Sequence, residues 1–416
     1  MISSRHRALN ILFEVFENNK FSNVSLNKLK QTIFLSKSDI NFIFILVYGV
    51  IQYKIYLEYV INKIIDPKKT NRKTQILLWM SLYQMKFLNT PNYSIVNEAV
   101  EIAKKINISP SFVNAVLRKI INKDLWVVNI KNKKNVFCLE NGFPYWLYKQ
   151  LEDDYGIENA KKIVTFSNEK PLISFRININ KISIEEFLKQ FTSKFEIKRS
   201  TIAKNAFLTN DKIFISEAFL NNLIYIQDET SILAVEILDP KPNHSILDMC
   251  SAPGGKLTYI AQLVGQNTKI IGNEVNRSKK TIIKKNILNS GCKNIEMQYL
   301  DARDIKDKFD YILIDAPCSG FGVIRKKPEI KLKKRTKEEM NILYKMQEDL
   351  LKNAYNCLNE SGVILYSTCT MNKKENQDQT VQFLKSHKKM KLEYEKQFFN
   401  FEANYNGFYI VKIKKY

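Results

Sequence analysis

The first 140 residues carry apolar positions at helical spacing, and no stretch of strand-type alternation interrupts them. Ala8, Leu9, Leu12, Val15 and Phe16 form one stripe, and Ile76, Leu77, Met80, Tyr83 and Met85 form another. Segment 94–105 is amphipathic, with Ile95, Ala99, Ile102 and Ala103 on one face, and Asn107-Ile-Ser-Pro110 breaks it. The helix that follows, to residue 120, takes Ser111 as its expected cap. This part predicts a helical bundle. At 141 the character changes. Asn141-Gly-Phe-Pro144 signals a linker, and Pro144 opens a short helix. Residues 171–180 alternate apolar and polar positions and predict a strand, 184–191 a helix, and 195–198 and 206–209 further strands. Together these make a small α+β module, with Arg176 expected to be exposed on its strand.

From 226 onward strand and helix patterns alternate. Strands are predicted at 245–248, 269–274, 295–300, 309–315 and 363–367, with helices at 257–263, 278–288 and 339–358. Alternation of this kind predicts an α/β, Rossmann-like, doubly wound parallel sheet, whose ligands bind at the carboxyl ends of the strands. Three domains are expected, at 1–140, 141–225 and 226–416, and 416 residues suffice for three cores.

Charge adds a partner to this picture. The chain has 65 Lys+Arg against 42 Asp+Glu, a formal net charge of +23, which points to a polyanion such as nucleic acid. Its richness in Lys, Asn and Ile is also what AT-biased coding produces, so charge alone favours nucleic acid only modestly. The six cysteines, at 138, 250, 292, 318, 357 and 369, include no C-x-x-C pair, and the three histidines are far apart. That spacing suits neither a zinc ribbon nor a disulfide framework and fits reduced thiols in the cytoplasm. The polar, basic start of the chain has no signal-peptide core. The longest apolar run, near 42–51, is too short for a bilayer, so a buried helix is expected and no membrane partner.

Candidate chemistry collects at predicted strand ends. The run Asp248-Met-Cys-Ser-Ala-Pro-Gly-Gly-Lys256 carries an apolar strand into a glycine turn and then a helix, the form of a nucleotide-binding turn. A P-loop would need Gly at the position of Cys250, and the G-x-G-x-x-G of a dinucleotide site is absent. S-adenosylmethionine remains. Glu274, ending the second strand, suits its ribose hydroxyls, and Asp301, after the third, suits its adenine amine; the Gly254-Gly255 turn leaves room for the methionine part. Two cysteines also stand at strand ends, Cys318 in Asp315-Ala-Pro-Cys-Ser-Gly320 and Cys369 in Tyr366-Ser-Thr-Cys-Thr370. A thiol nucleophile beside a methyl donor points to carbon methylation of a pyrimidine: addition at C6 of cytosine makes C5 enamine-like, able to take a methyl group. A base in structured RNA has to be extruded to reach such a site. The basic residues Arg325, Lys326, Lys327 and Lys331 follow the Cys318 strand. The plain reading is a solvated charge run; their place beside the site favours phosphate contact.

These motifs, with Gly322-Val-Ile-Arg-Lys-Lys-Pro-Glu-Ile-Lys331, resemble those of the Nol1/Nop2/Sun RNA cytosine-5 methyltransferases. The segments Tyr93-Ser-Ile-Val-Asn-Glu-Ala-Val-Glu-Ile-Ala-Lys104 and Phe112-Val-Asn-Ala-Val-Leu-Arg118 resemble the NusB-like RNA-binding domain. The resemblance spans essentially the whole chain. It implies Cys369 as nucleophile and Cys318 as the residue that assists release. It implies a cofactor site lined by Cys250, Ser251, Ala252, Pro253, Gly254, Gly255, Lys256, Glu274, Asp301 and Asp315, with Asp315 also facing the cytosine, and a structural, helix-tethering role for Asn114. The implied substrate is small-subunit (16S) ribosomal RNA, bound by a monomer without a metal. In DNA cytosine-5 enzymes a Pro-Cys dipeptide holds the nucleophile; the Thr368-Cys369 pair favours the RNA assignment. The chain departs from the family pattern at Ser251 (commonly Ala), Glu274 (usually Asp), and Asn41 and Gln52 (usually Arg). Methylation of another RNA, such as transfer RNA, and a non-catalytic role in ribosome assembly are the alternatives.

Overall fold

The computed structural model describes residues 2–18, 20–29, 35–121, 123–403 and 405–416. Two units emerge, one made of Met1–Glu169 with Ile324–Lys334, the other of Lys170–Val323 with Arg335–Tyr416.

The first unit is helical: α1 (Ser4–Glu17), α2 (Ser22–Leu29), α3 (Lys37–Ile61), α4 (Arg72–Phe87), α5 (Asn92–Lys105), α6 (Pro110–Ile120), α7 (Lys133–Glu140), α8 (Tyr145–Tyr155) and α9 (Ile157–Phe166). The run read at 42–51 is part of a 25-residue helix, long and apolar enough by length and composition to cross a bilayer. Here α3 is a core helix. Ile43, Leu46, Val47, Val50, Leu57 and Val60 are fully buried against α1 and α4 residues such as Leu12, Leu77 and Trp79. Two local expectations change. The cap of α6 is Ser109, whose hydroxyl accepts from the Phe112 N–H, with Pro110 in the first turn, where a missing N–H costs nothing. Asn114 accepts from Arg118 Nε one turn along its own helix, so this bond braces α6 rather than tethering two helices.

In the second unit a four-stranded antiparallel sheet, in the order β2-β3-β1-β4, comprises β1 (Ile173–Ile177), β2 (Lys198–Arg199), β3 (Ala206–Thr209) and β4 (Ile224–Ile226). It packs Phe175 and Phe207 against Phe187 and Phe191 of α10 (Ile184–Phe191), and α11 (Glu217–Leu220) precedes β4. After α12 (Glu229–Leu238) comes a seven-stranded sheet. Its strands are β5 (Ile246–Asp248), β6 (Ile270–Asn273), β7 (Ile295–Gln298), β8 (Phe309–Asp315), β9 (Leu358–Thr368), β10 (Met390–Phe398) and β11 (Phe408–Lys415), in the order β10-β11-β9-β8-β5-β6-β7. Helices α13 (Gly255–Val264), α14 (Lys280–Ser290), α15 (Lys337–Asn356) and α16 (Gln377–Ser386) connect them. The five strands from β7 to β9 are parallel, whereas β11 is antiparallel to β9 and to β10. The sheet is therefore mixed rather than wholly parallel. The β10–β11 pair escapes sequence patterning because β10 is an edge strand buried only at its ends, Met390 and Phe398, with Lys391, Glu393, Glu395 and Lys396 exposed between them. Strand β5 lies between β6 and β8, where chain order reverses, and its carboxyl end is the switch point at which such sheets bind ligands.

Candidate active site

The turn after β5 is built around Asp248 and Gly254. Gly254 has φ +106°, a conformation favouring glycine, and α13 starts at Gly255 with no side-chain cap among the described residues. Ser251 Oγ donates to the Asp248 carbonyl at 2.9 Å, and the Cys250 N–H donates to Asp248 Oδ1 at 3.3 Å. Asp248 is 1% exposed, and its Oδ2 is buried without a partner among the described residues. Burial, reinforced by the negative charge of Asp315, pushes this carboxyl up to about 7. A buried acceptor with no donor beside an uncapped helix start is what a ligand bearing cationic and anionic groups would complete, so the turn fits a methionine moiety. Burial also raises the Cys250 thiol, so it is inert as a nucleophile.

The other rim residues differ in readiness. Glu274, 6% exposed after β6, accepts from the Asn276 N–H at 2.9 Å and lies 3.5 Å from Lys279 Nζ. Asp301, after β7, has both oxygens held by Arg303 (2.9 and 2.6 Å), whose hydrogen bonds lower its carboxyl. It must exchange a partner to accept a ligand amine. From the first turn of α13, Lys256 Nζ reaches Asp315 Oδ2 at the end of β8 at 2.6 Å, and Ser367 Oγ donates to Asp315 Oδ1 at 3.1 Å. Ala252, Pro253 and Gly255 complete the turn; the Pro253 carbonyl accepts from Asn286, and a side chain at Gly255 would press on Tyr225 at 3.1 Å.

The two strand-end cysteines are neighbours. Cys318 Sγ and Cys369 Sγ are 3.3 Å apart, on the loops after β8 and β9. The hydrogen bond to Cys369 is the main cause that holds the Cys318 thiol well above its ordinary value; burial and the charges of Glu375 and Asp315 add to it. Either thiol can donate across this contact, and Cys318 is the one held in its protonated form.

A network that sequence reading missed fixes both loops. Ser319 Oγ and Thr370 Oγ1 are 2.7 Å apart. Gly322 N–H donates to the Cys369 carbonyl at 3.0 Å, and Gly407 N–H to the Gly322 carbonyl at 3.0 Å. A Cβ at Gly322 would lie 1.9 Å from the Gly407 carbonyl oxygen, so only glycine fits there. Asn376 accepts from Thr368 Oγ1 at 2.6 Å and donates to the Thr370 carbonyl at 3.1 Å. Glu375 and Gln347, both 0% exposed, bind the Cys318 loop. Ser319, Thr368 and Thr370 lie within the cysteine motifs, but no period or motif marks Gln347, Glu375 and Asn376, because their burial arises only when distant segments meet.

Two basic residues contradict expectation. Arg176 is buried at 1% exposure instead of standing in solvent. It donates to Gln227 Oε1 at 3.0 Å, to Thr258 Oγ1 at 2.8 Å, to the Gly255 carbonyl at 3.3 Å and to Gln262, and it sits between the rings of Tyr225 and Tyr259. It therefore ties the small sheet to the first turns of α13, and desolvation pulls its guanidinium down to about 10. Lys331 is 0% exposed, its ammonium 5.6 Å from the Phe143 ring centre and without a hydrogen-bond partner among the described residues. Burial pulls it down to about 7 and removes it from the phosphate-contacting set. Its segment, Ile324–Lys334, groups with the helical unit, where Glu329 accepts from Ser22 N–H and Oγ at 3.0 and 3.1 Å. Arg325, Lys326 and Lys327 are half-buried in the same segment.

Residues 235–412 match the family model described as 16S rRNA methyltransferase RsmB/F, residues 2–122 the NusB family, and residues 143–213 the ferredoxin-like domain of RsmF/B-like methyltransferases. The chain is 34% identical over 397 residues to a probable ribosomal RNA small subunit methyltransferase B of Bacillus subtilis, covering 92% of this chain and 89% of that protein. Among solved structures it resembles PH0851, with a TM-score of 0.86 and 23% identity, covering 99% and 98% of the two chains. It also resembles NSun6 from Pyrococcus horikoshii with SFG, with a TM-score of 0.61 and 23% identity, covering 66% of this chain and 98% of the other. Both likenesses concern the fold.

Proposed function

The chain belongs to the ribosomal RNA small subunit methyltransferase B family, and from that premise we propose that it methylates C5 of a cytosine in 16S ribosomal RNA through a covalent Cys369–C6 adduct. It is a methyltransferase whose cofactor is S-adenosylmethionine and whose substrate is small-subunit ribosomal RNA, which implies the cytoplasm as its place of work. The observation that carries the finer reading is the pair of thiols 3.3 Å apart at the ends of β8 and β9.

The cofactor supplies a sulfonium methyl group that a carbon nucleophile can take. The residues from Cys250 to Lys256, with Asp248, Glu274, Asp301 and Asp315, would hold it. Cys369, once it has given up its proton, adds as a thiolate to C6, and the C5–C6 electron pair becomes available at C5 to take the methyl group. Asp315, held by Lys256 and Ser367, faces the cytosine ring. After methylation a base takes the C5 proton, the C–H electron pair re-forms the C5–C6 double bond, and the C6–S bond breaks with its pair going back to the Cys369 sulfur. Cys318, kept protonated at 3.3 Å, donates a hydrogen bond to the departing Cys369 sulfur and so assists release. Arg325, Lys326 and Lys327 contact substrate phosphates.

The test uses protein-free small-subunit RNA and labelled cofactor. Cys369→Ala is expected to abolish methylation, and Cys318→Ala to leave a protein–RNA adduct on a denaturing gel. The adduct appearing with Cys369→Ala instead would reverse the two roles, and RNA binding without label from the wild type would favour an assembly factor.

A further inference from the structure

We propose that Glu375 is a positioning residue that aims the Cys318 thiol at Cys369, an assignment that rests on the release role given to Cys318 above. The argument is geometric. Glu375 is 0% exposed, six residues beyond Cys369, in the loop between β9 and α16. Its Oε2 accepts from the Ser319 N–H at 2.8 Å and from Gln347 Nε2 at 3.1 Å, and its Oε1 from Asn372 Nδ2 at 2.9 Å. The same Gln347 amide donates to the Pro317 carbonyl at 2.8 Å. The residues on either side of Cys318 are therefore held at once, Ser319 by Glu375 and Pro317 by Gln347. The backbone of Glu375 is tied in turn to the Cys369 strand, since Tyr366 OH donates to its carbonyl at 2.7 Å.

One buried carboxylate thus joins the loops that carry the two thiols. A carboxylate is suited to this place because all three neighbours are donors and it offers only acceptors. Its charge adds to the hydrogen bond to Cys369, the burial and the Cys369 charge that hold the Cys318 thiol up, in the form that donates to a departing sulfur. Fold stability alone asks only for a satisfied polar network here; the proposal asks in addition that Glu375 act on release more than on methyl transfer.

The experiment uses the full chain, protein-free small-subunit RNA and labelled S-adenosylmethionine. It compares first-turnover methylation, repeated turnover, and adduct on a denaturing gel. Glu375→Gln keeps the shape and removes the charge. It is expected to hold first-turnover methylation within about threefold of wild type while repeated turnover falls by about 10- to 100-fold and adduct accumulates. The alkaline limb of release should move to lower pH, because the thiol loses its proton more easily without the neighbouring charge. Wild-type turnover with no adduct and an unshifted pH profile would overturn the proposal, as would equal loss of first and later turnovers. Should Glu375→Gln not fold, Gln347→Leu decides: it frees Pro317, adduct accumulation supports the clamp, and its absence overturns it. Wild type without C5 methylation, or Cys318→Ala without adduct, would sink the cytosine-5 reading itself and this proposal with it. With both controls positive, the result bears on Glu375 alone.

Discussion

At the scale of single residues, the site is marked by ionisable groups held away from their ordinary protonation. Asp248 stands at about 7 instead of 3.8. As pH rises above about 4 the unfolded chain releases this proton while the folded protein retains it, so folding loses stability up to about pH 7 and no further beyond. The shift corresponds to as much as ~4 kcal/mol. Asp248→Asn removes the titration, so the ligand-free variant should gain melting temperature relative to wild type at pH 8 and gain little at pH 4. A pH-independent difference between the two proteins would refute this. Lys331 has the opposite sign. Its folded value, about 7, lies below the ordinary 10.5, so stability falls as pH drops from about 10.5 to 7 and then levels off. Lys331→Met should raise the melting temperature at pH 7, lose that advantage near pH 10.5, and leave RNA affinity unchanged. Weakened RNA binding in that variant would return Lys331 to the phosphate contacts.

Loops, not strands, carry the precision at the next scale. The loop after β8 approaches Gly407, just before β11, and the Cys369 carbonyl so closely that Gly322 has no room for a side chain. Gly322→Ala should therefore separate the Cys369 carbonyl from its Gly322 donor and reduce methylation by about 100-fold. Binding of S-adenosylmethionine, measured by calorimetry, should change by no more than a few-fold, because the cofactor turn follows β5. Full activity in this variant would show that the loop contact does not position the thiols. Much of this level was legible beforehand. Strands ending at Asp248, at Asp315 and before Cys369 follow from runs of apolar residues closed by polar or turn residues, a local signal. The β10–β11 pair was not legible, since β10 is buried only at Met390 and Phe398 and the place of β11 between β9 and β10 is a long-range pairing. Nor was the start of α6 at Pro110, where two serines two residues apart, Ser109 and Ser111, both offer a cap.

For the whole molecule, the net charge of +23 makes a prediction about RNA. If the basic surface neutralises six or more phosphates, affinity for small-subunit RNA should fall at least about 1000-fold between 50 and 200 mM salt. Filter binding across that range checks it. A nearly flat response would mean that the lysines reflect coding composition rather than contact. The chain path matters here as well. Residues Ile324–Lys334 leave the catalytic sheet after β8, group with the helical unit and return before α15. The basic run that follows Cys318 thus belongs structurally to the helical unit, where Glu329 holds Ser22.

The class of fold, the glycine turn after β5 and the two strand-end cysteines are legible in the sequence, because periodicity, glycine turns and strand-end residues are properties of short stretches of chain. Only the tertiary structure decided which polar groups are buried and whom they meet. Arg176, expected in solvent, braces the cofactor helix; Lys331, expected on phosphate, faces Phe143; Glu375, unmarked in the sequence, holds the loop of Cys318. Their partners lie 82, 188 and 56 residues away in the chain, and the burial that determines their behaviour exists only once those distant segments have packed.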